Sequence, residues 1–371
     1  MKLTLDARLV TSSGIGVYVK NIIKSDHLRG YDIKILCRSA DYSYVRSLCA
    51  RASLVNYDTQ LYSINELVNT PLKTIGSHIF WSPHYNVPVI NFASKLKVVT
   101  IHDVFHLAYY HTLSAVQKMY AKIMINRAIK SDLIFTVSEF SKSEIIKFTD
   151  CKADNIKVIY NGIDFHNFNF RSSEEIVKKV LKTYKVDLPY ILFVGNVKPH
   201  KNLKTALQGF KDFVLGFTGF KDYKFVIVGK REGFITGDKE IELLLSHPFY
   251  SSRLVFTEWV ADEDLPVLYQ NASTFIFPSV YEGFGFPPLE AMAARCPVIS
   301  SNSACMPEIY EDAVLYFNPA NKGEIANALF TVLTNSELRK TLVEKGLKQA
   351  NKYNWEEAIS NKIRFIEEYA S

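Results

Sequence analysis

The chain has 371 residues, 48% hydrophobic and 22% charged, a globular composition too long for one ordinary core, so two domains are expected. The net charge of +6 suits phosphate-bearing ligands or an anionic surface, and without a dense Lys/Arg tract or a nucleic-acid-binding signature it argues against nucleic acid as a partner. No apolar run reaches the roughly 18 residues of a spanning helix, Asp6 comes too early for a signal peptide, and five scattered cysteines show no zinc or disulfide spacing, so a cytoplasmic protein is expected.

Residues 2–7 read as a first strand, 11–16 as a loop and 17–23 as a helix. Gly14 and Gly16 in that loop invite a dinucleotide reading, but Val19 stands where a third glycine is needed and no acid is placed for a ribose. A tight turn and a backbone platform under a ligand phosphate or sugar both stay open. Short apolar runs at 31–37, 79–81 and 97–101 follow, separated by helical or loop sequence. That alternation is the pattern of a parallel sheet covered by helices on both faces. His102 and Asp103 stand at the carboxyl end of the last of these runs, the edge where ligands bind in open α/β sheets. A structural and a functional histidine are equally open there.

Residues 113–130 read as a basic amphipathic helix, its apolar side expected on the core, with a membrane-surface helix as the alternative. Strands are expected at 132–138 and 156–160, with Ser138 capping the helix between them, and 165–189 reads as a linker. The pattern then restarts. A strand at 190–195, a polar loop and a helix at 203–213 lead into strands at 224–228, 254–256, 274–277 and 297–300. The expected fold is therefore α/β, two doubly wound Rossmann-like domains facing a central cleft. Asp262 and Asp264 could form a metal-binding pair, but they open a helical run, and Asp262 is expected to be its N-cap.

The stretch from Glu282 to Glu290 carries the most chemistry. It joins the apolar run 273–278 to a helix. Gly283 and Gly285 let the backbone approach a ligand, Pro287 and Pro288 suit first helical positions, and the helix start is an anion site. The two acids can bind hydroxyls, although Glu290 is equally suited to complement the helix dipole from its first turn. Together with Lys201 and Lys230, the loop could hold a diphosphate through charge-assisted bonds worth about 1.5–3 kcal/mol each. That combination suggests a nucleotide-sugar site.

These residues resemble the retaining glycosyltransferases of family 4, which have the GT-B fold. Glu282 and Glu290 match the family's E-x7-E motif. The resemblance extends to Gly14-Ile15-Gly16, Ile101-His102-Asp103, the segments 136–141 and 160–164, and Pro199-His200-Lys201-Asn202, which is similar to mannosyltransferase-like members. It implies retaining transfer of a sugar, with mannose from GDP-mannose leading and a UDP-sugar close behind. The donor would be a nucleotide-diphospho-sugar, with no metal or other cofactor required, and the acceptor a glycan or lipid-linked glycan. Catalytic roles would fall to His102, Glu282 and Lys201. Donor contacts would come from Gly14, Gly16, Asn196, Lys201, Lys230, Glu282, Gly283, Phe284, Gly285, Phe286 and Glu290, the last on the ribose. Where many members carry an arginine this chain has Asn196, and Lys198, Lys230 and Arg231 are the candidates to replace its charge. An acceptor-side domain at 1–170, completed by a terminal helix at about 352–371, and a nucleotide-sugar domain at 171–351 are implied. So is possible peripheral contact with an anionic membrane. Another GT-B enzyme (an epimerase or phosphorylase) and a non-catalytic binding module are the rival readings.

Overall fold

Seven strands are built from the first half of the chain: β1 (Lys2–Asp6), β2 (Asp32–Cys37), β3 (Ser53–Asn56), β4 (Ile79–Ser82), β5 (Leu96–Thr100), β6 (Leu133–Thr136) and β7 (Ile156–Val158). They form one parallel sheet in the order β3-β2-β1-β4-β5-β6-β7. A second parallel sheet, in the order β10-β9-β8-β11-β12-β13, is made from β8 (Tyr190–Val194), β9 (Lys224–Val228), β10 (Leu254–Glu258), β11 (Thr274–Phe277), β12 (Val298–Ser301) and β13 (Leu315–Phe317). The computed structural model describes residues 1–12, 14–61, 63–87, 94–229 and 244–371. The central strands β4, β6 and β11 are buried along their whole length, which is why they read as unbroken apolar runs. Strands β3 and β13 were not expected. Both lie at sheet edges; β3 has only Leu54 and Val55 between polar ends, and β13, Leu315-Tyr316-Phe317, is apolar but only three residues long.

Chain order reverses between β1 and β4 in the first sheet and between β8 and β11 in the second. At such a point neighbouring connections leave in opposite directions and open a crevice at the carboxyl edge.

The chain divides into two compact units, Met1–Gly162 with Trp355–Ser371, and Ile163–Asn354. The boundaries therefore differ from the expected 170/171 and 351/352. Ile163 pairs with Asn354 and donates its N–H to the Tyr353 carbonyl, and Phe168 packs edge-on against Tyr269, so 163–170 belongs to the second unit. The expected linker is likewise folded. Helix Glu174–Thr183, capped by Ser173, packs against helix Leu265–Asn271.

In the first unit, helix Gly14–Lys24 starts at the glycines that were read as loop. A Cβ on Gly16 would lie 2.7 Å from the Val10 carbonyl oxygen, so only glycine lets the helix start pass this close to the preceding turn. Helix Ala115–Ala128 opens with a capping box between Ser114 and Gln117. It buries Met124, Ile125 and Ala128 but exposes Met119 and Ile123, which were expected on the core side. Helix Trp355–Ala370 returns to this unit, burying Ile359, Ile363 and Ile366 over β5 and β6.

Candidate active site

In the second unit the candidate residues sit on two connections that leave β8 and β11, the neighbours at the switch point. After β8 the chain passes Gly195 and the exposed Asn196 and Lys198, then makes a single 3-10 turn, Pro199–Lys201. Asn202, in the left-handed region at φ 54°, turns the chain into helix Leu203–Gly216. Its side-chain amide donates to the carbonyl oxygens of Pro278 (3.2 Å) and Pro319 (2.8 Å). The backbone N–H of Val280 donates to the His200 carbonyl at 2.8 Å. The two connections are thus tied together by the Asn202 side chain and by a main-chain bond.

That tie brings Lys201 onto Glu282. Lys201 Nζ donates to Glu282 Oε1 at 2.5 Å, with both side chains mostly buried, and the ammonium lies 5.5 Å from the Phe277 ring centroid. The next residues, Gly283 to Phe286, run directly into helix Phe286–Ala293. Gly285 is the N-cap at φ 85°, where a Cβ would fall 2.1 Å from Tyr310 Oη. Tyr310 Oη instead donates to the Gly285 carbonyl at 2.9 Å, and Phe284 packs edge-on against Phe286 and Tyr353. This loop is therefore shaped from behind by fixed contacts, and it leads from Glu282 within four residues to the positive dipole end of a helix whose second and third residues, Pro287 and Pro288, have no N–H.

Glu290 is the fifth residue of that helix, and the first turn holds no acid, so the dipole-complementing alternative does not apply. Its Oε2 accepts a 3.0 Å hydrogen bond from Tyr269 Oη. Burial, then the adjacent Glu290 charge, pushes the Tyr269 phenol well above its usual range, so it stays protonated as a donor. Glu282 and Glu290 are thus held by different partners and serve different positions. Asp262 does not cap helix Leu265–Asn271. The cap position is Asp264, whose carboxylate accepts from Tyr184 Oη at 2.8 Å rather than from the helix backbone. Among the described residues no cluster of His, Cys, Asp or Glu has metal-binding geometry. Lys230 and Arg231 lie outside the described residues.

In the first unit, His102 follows β5 and is largely buried. Its Nε2 lies 2.9 Å from the Pro83 carbonyl oxygen, and the Tyr18 ring meets it edge-on with centroids 4.9 Å apart. Burial lowers its pKa to about 4, opposed by the Pro83 bond and assisted by Lys362, so the ring is neutral at physiological pH. With Nε2–H directed to Pro83, Nδ1 is the acceptor. Tyr18 stands on helix Gly14–Lys24, so one short helix carries Gly14, Gly16 and the ring that packs on His102. Tyr18, Tyr269 and Tyr310 were not singled out from sequence. Tyr18 and Tyr269 lie in runs read as helical, and Tyr310 in a stretch that carries no motif.

Two halves of the chain match established families: residues 12–167 match Glycosyltransferase Family 4, and 174–349 match the glycosyl transferases group 1. The O-antigen chain mannosyltransferase B of Escherichia coli is 30% identical over 308 residues, 79% of this chain and 74% of that protein. The O-antigen chain mannosyltransferase RfbU of Salmonella typhimurium is 27% identical over 72% of this chain and 69% of its own length. Among solved structures, Anabaena Alr3699/HepE, crystallised with UDP and glucose, superposes with a TM-score of 0.78 at 15% identity, covering 99% of this chain and 100% of that one. Two parallel α/β units, the E-x7-E pair on its strand–loop–helix junction and these likenesses agree: the chain belongs to the family 4 glycosyltransferases of GT-B fold.

Proposed function

We propose that the chain transfers mannose from GDP-mannose, with retention of anomeric configuration, to a glycan or lipid-linked glycan in polysaccharide or lipopolysaccharide-type biosynthesis. The observation that carries this reading is the Lys201–Glu282 pair at the head of the Gly283–Phe286 loop, in a chain 30% identical to an O-antigen mannosyltransferase.

In this reading the sugar and the diphosphate lie against Lys201 and the backbone N–H groups of Gly283 to Phe286, since Pro287 and Pro288 have none. The sugar C1–O bond breaks and the electron pair leaves with the diphosphate. Lys201 and the helix dipole offset the charge that builds there, the kind of fixed stabilisation that dominates many enzymes. The acceptor oxygen bonds C1 on the same face, and its proton passes to the departing phosphate oxygen. Glu282, fixed by Lys201, accepts from a donor-sugar hydroxyl, and Glu290, held by Tyr269, accepts from the ribose. For the first unit, the proposed ligand-binding groups are Nδ1 of the neutral His102 and the backbone at the Gly14–Gly16 helix start. Lys198, exposed on the Asn196 loop, is the described candidate to replace the family arginine. No step is assigned to a metal, so turnover should persist in EDTA.

Helix Ala115–Ala128 places exposed Met119 and Ile123 beside Lys122. We assign it peripheral contact with the anionic inner face of a membrane, and co-flotation with anionic vesicles at low salt tests this. None of the helices among the described residues is long and apolar enough to cross a membrane.

A thermal-shift and turnover screen over GDP-mannose and UDP- and ADP-sugars decides the donor, because a ligand that binds only the folded state raises its apparent stability. GDP-mannose should give the largest shift and a product with the α-anomeric signal. Preference for a UDP-sugar overturns the donor. Release of free or epimerised sugar without acceptor replaces transfer by another GT-B reaction.

A further inference from the structure

Helix Met306–Tyr310 stands behind the Gly283–Phe286 loop, and both of its ends reach that loop. At the N-cap, the Cys305 thiol donates to the Phe284 carbonyl at 3.3 Å, a better acceptor than the Met306 thioether 3.9 Å away. At the last residue, Tyr310 Oη donates to the Gly285 carbonyl at 2.9 Å. Both side chains are fully buried. Burial, with the Glu282 charge as a lesser cause, holds the thiol and the phenol well above their usual ranges, so both remain protonated donors. The short helix is itself held from elsewhere in the same unit: Gln349 Nε2 (2.7 Å) and Tyr353 Oη (2.8 Å) donate to the Ile309 carbonyl. The carbonyls of two consecutive loop residues are thus drawn back onto one fixed element.

Peptide geometry carries this to the other side of the loop. Both peptide bonds concerned are trans. In a planar trans peptide the C=O and the following N–H point in opposite directions. With the Phe284 oxygen turned to Cys305 and the Gly285 oxygen turned to Tyr310, the N–H groups of Gly285 and Phe286 turn away from the helix behind. Gly285, at φ 85°, stands between these two groups, and a left-handed residue in that place lets successive N–H groups converge as an anion-binding nest. Their direction matters because the next two residues, Pro287 and Pro288, have no N–H to give. We propose that Tyr310 and Cys305 are positioning residues for the transfer reaction, which touch no substrate and act by aiming the Gly285 and Phe286 N–H groups at a phosphate oxyanion. The inference rests on the reading above that this loop meets the donor's diphosphate.

The test uses the full chain, with inorganic pyrophosphate and GDP as probes in calorimetry. Tyr310→Phe keeps the ring and removes the donor. It should weaken both probes about tenfold and by the same factor, since the loop N–H groups meet only the phosphates. Cys305→Ala should weaken both by about two- to threefold, because a thiol is the weaker donor. Cys305→Ser, whose hydroxyl can donate to the same carbonyl, should recover the affinity. In protein labelled at glycine nitrogen, the Gly285 amide proton should move downfield on adding pyrophosphate, and move less in Tyr310→Phe. A role in packing alone would lower melting temperatures without these changes. Unaltered pyrophosphate affinity in Tyr310→Phe and Cys305→Ala overturns the inference while leaving the donor reading intact. A loss in Cys305→Ala that Cys305→Ser does not recover, or a loss for GDP alone, also overturns it. Should Tyr310→Phe fail to fold, the two Cys305 variants decide the question. Failure of the wild-type chain to bind either probe removes the donor reading, and this inference with it.

Discussion

The two units place charge at the carboxyl edge of the same kind of sheet and use it differently. In the first, Arg8 follows β1 and is 1% exposed, with its guanidinium on Asp6 (Nε to Oδ1, 2.9 Å), on Glu66 (Nη2 to Oε1, 2.6 Å) and 4.1 Å from the Tyr57 ring centroid. Burial alone would favour losing the proton, but the Asp6 charge and hydrogen bond, then Glu66, more than reverse this. Glu66 also accepts from Asn86 and Tyr120, so these charges are consumed by one another. In the second unit, Lys201 and Glu282 form a single pair at the mouth of a loop whose shape is set by glycine geometry and tyrosine hydroxyls behind it. The lesson is that a buried network fixes structure, whereas one pair on a backbone-shaped loop is left to meet a ligand.

The largest effect should come from breaking the network. Arg8→Ala strands two buried carboxylates and should cost about 3–5 kcal/mol in urea unfolding. A loss under 1 kcal/mol would remove the contrast. Next, Lys201→Ala should lower kcat/KM by about a hundred- to a thousandfold, as loss of one charge-stabilising donor does elsewhere, while leaving the melting temperature within a few degrees. Collapse of the fold in that variant would make the pair structural.

The smallest effect concerns Lys362, which is fully buried, lies 5.3 Å from the Tyr18 ring centroid and has no hydrogen-bond partner among the described residues. Burial lowers its pKa from 10.5 to about 7. Between those values the unfolded chain holds the proton and the folded chain does not, so the penalty is complete below pH 7 and fades as pH rises to about 10.5. Lys362→Met should therefore stabilise by about 1–4 kcal/mol at pH 7 or below, with the gain shrinking on titration towards pH 10.5. A pH-independent difference between the two proteins would show that the charge is not what the core resists.

Legibility in the sequence followed burial. Strands such as β6 and β11 read as apolar runs because both faces are covered, whereas the edge strand β3 has only Leu54 and Val55 between polar ends and the apolar edge strand β13 is only three residues long. The Glu282–Glu290 junction was legible because its glycines, prolines and acids are contiguous. The Lys201–Glu282 bond was not, since it joins residues 81 positions apart and depends on how two connections leave neighbouring strands. Arg8 drew no notice for the same reason: Glu66 lies 58 positions away. Asp262 was mistaken for a cap because side-chain type alone does not show that Tyr184 would engage Asp264.

The return of helix Trp355–Ala370 has a consequence for synthesis. Its inner face covers β5 and β6, and Glu367 accepts from Tyr31 Oη at 3.0 Å across 336 positions of chain. During translation the unit begun first therefore stays unroofed while all of Ile163–Asn354 is made, whereas that second unit is contiguous and can finish alone. The usual order of domain maturation is inverted. Until the ribosome has passed residue 370, the half-built first sheet presents bare apolar surface, and that interval is when a chaperone has something to hold.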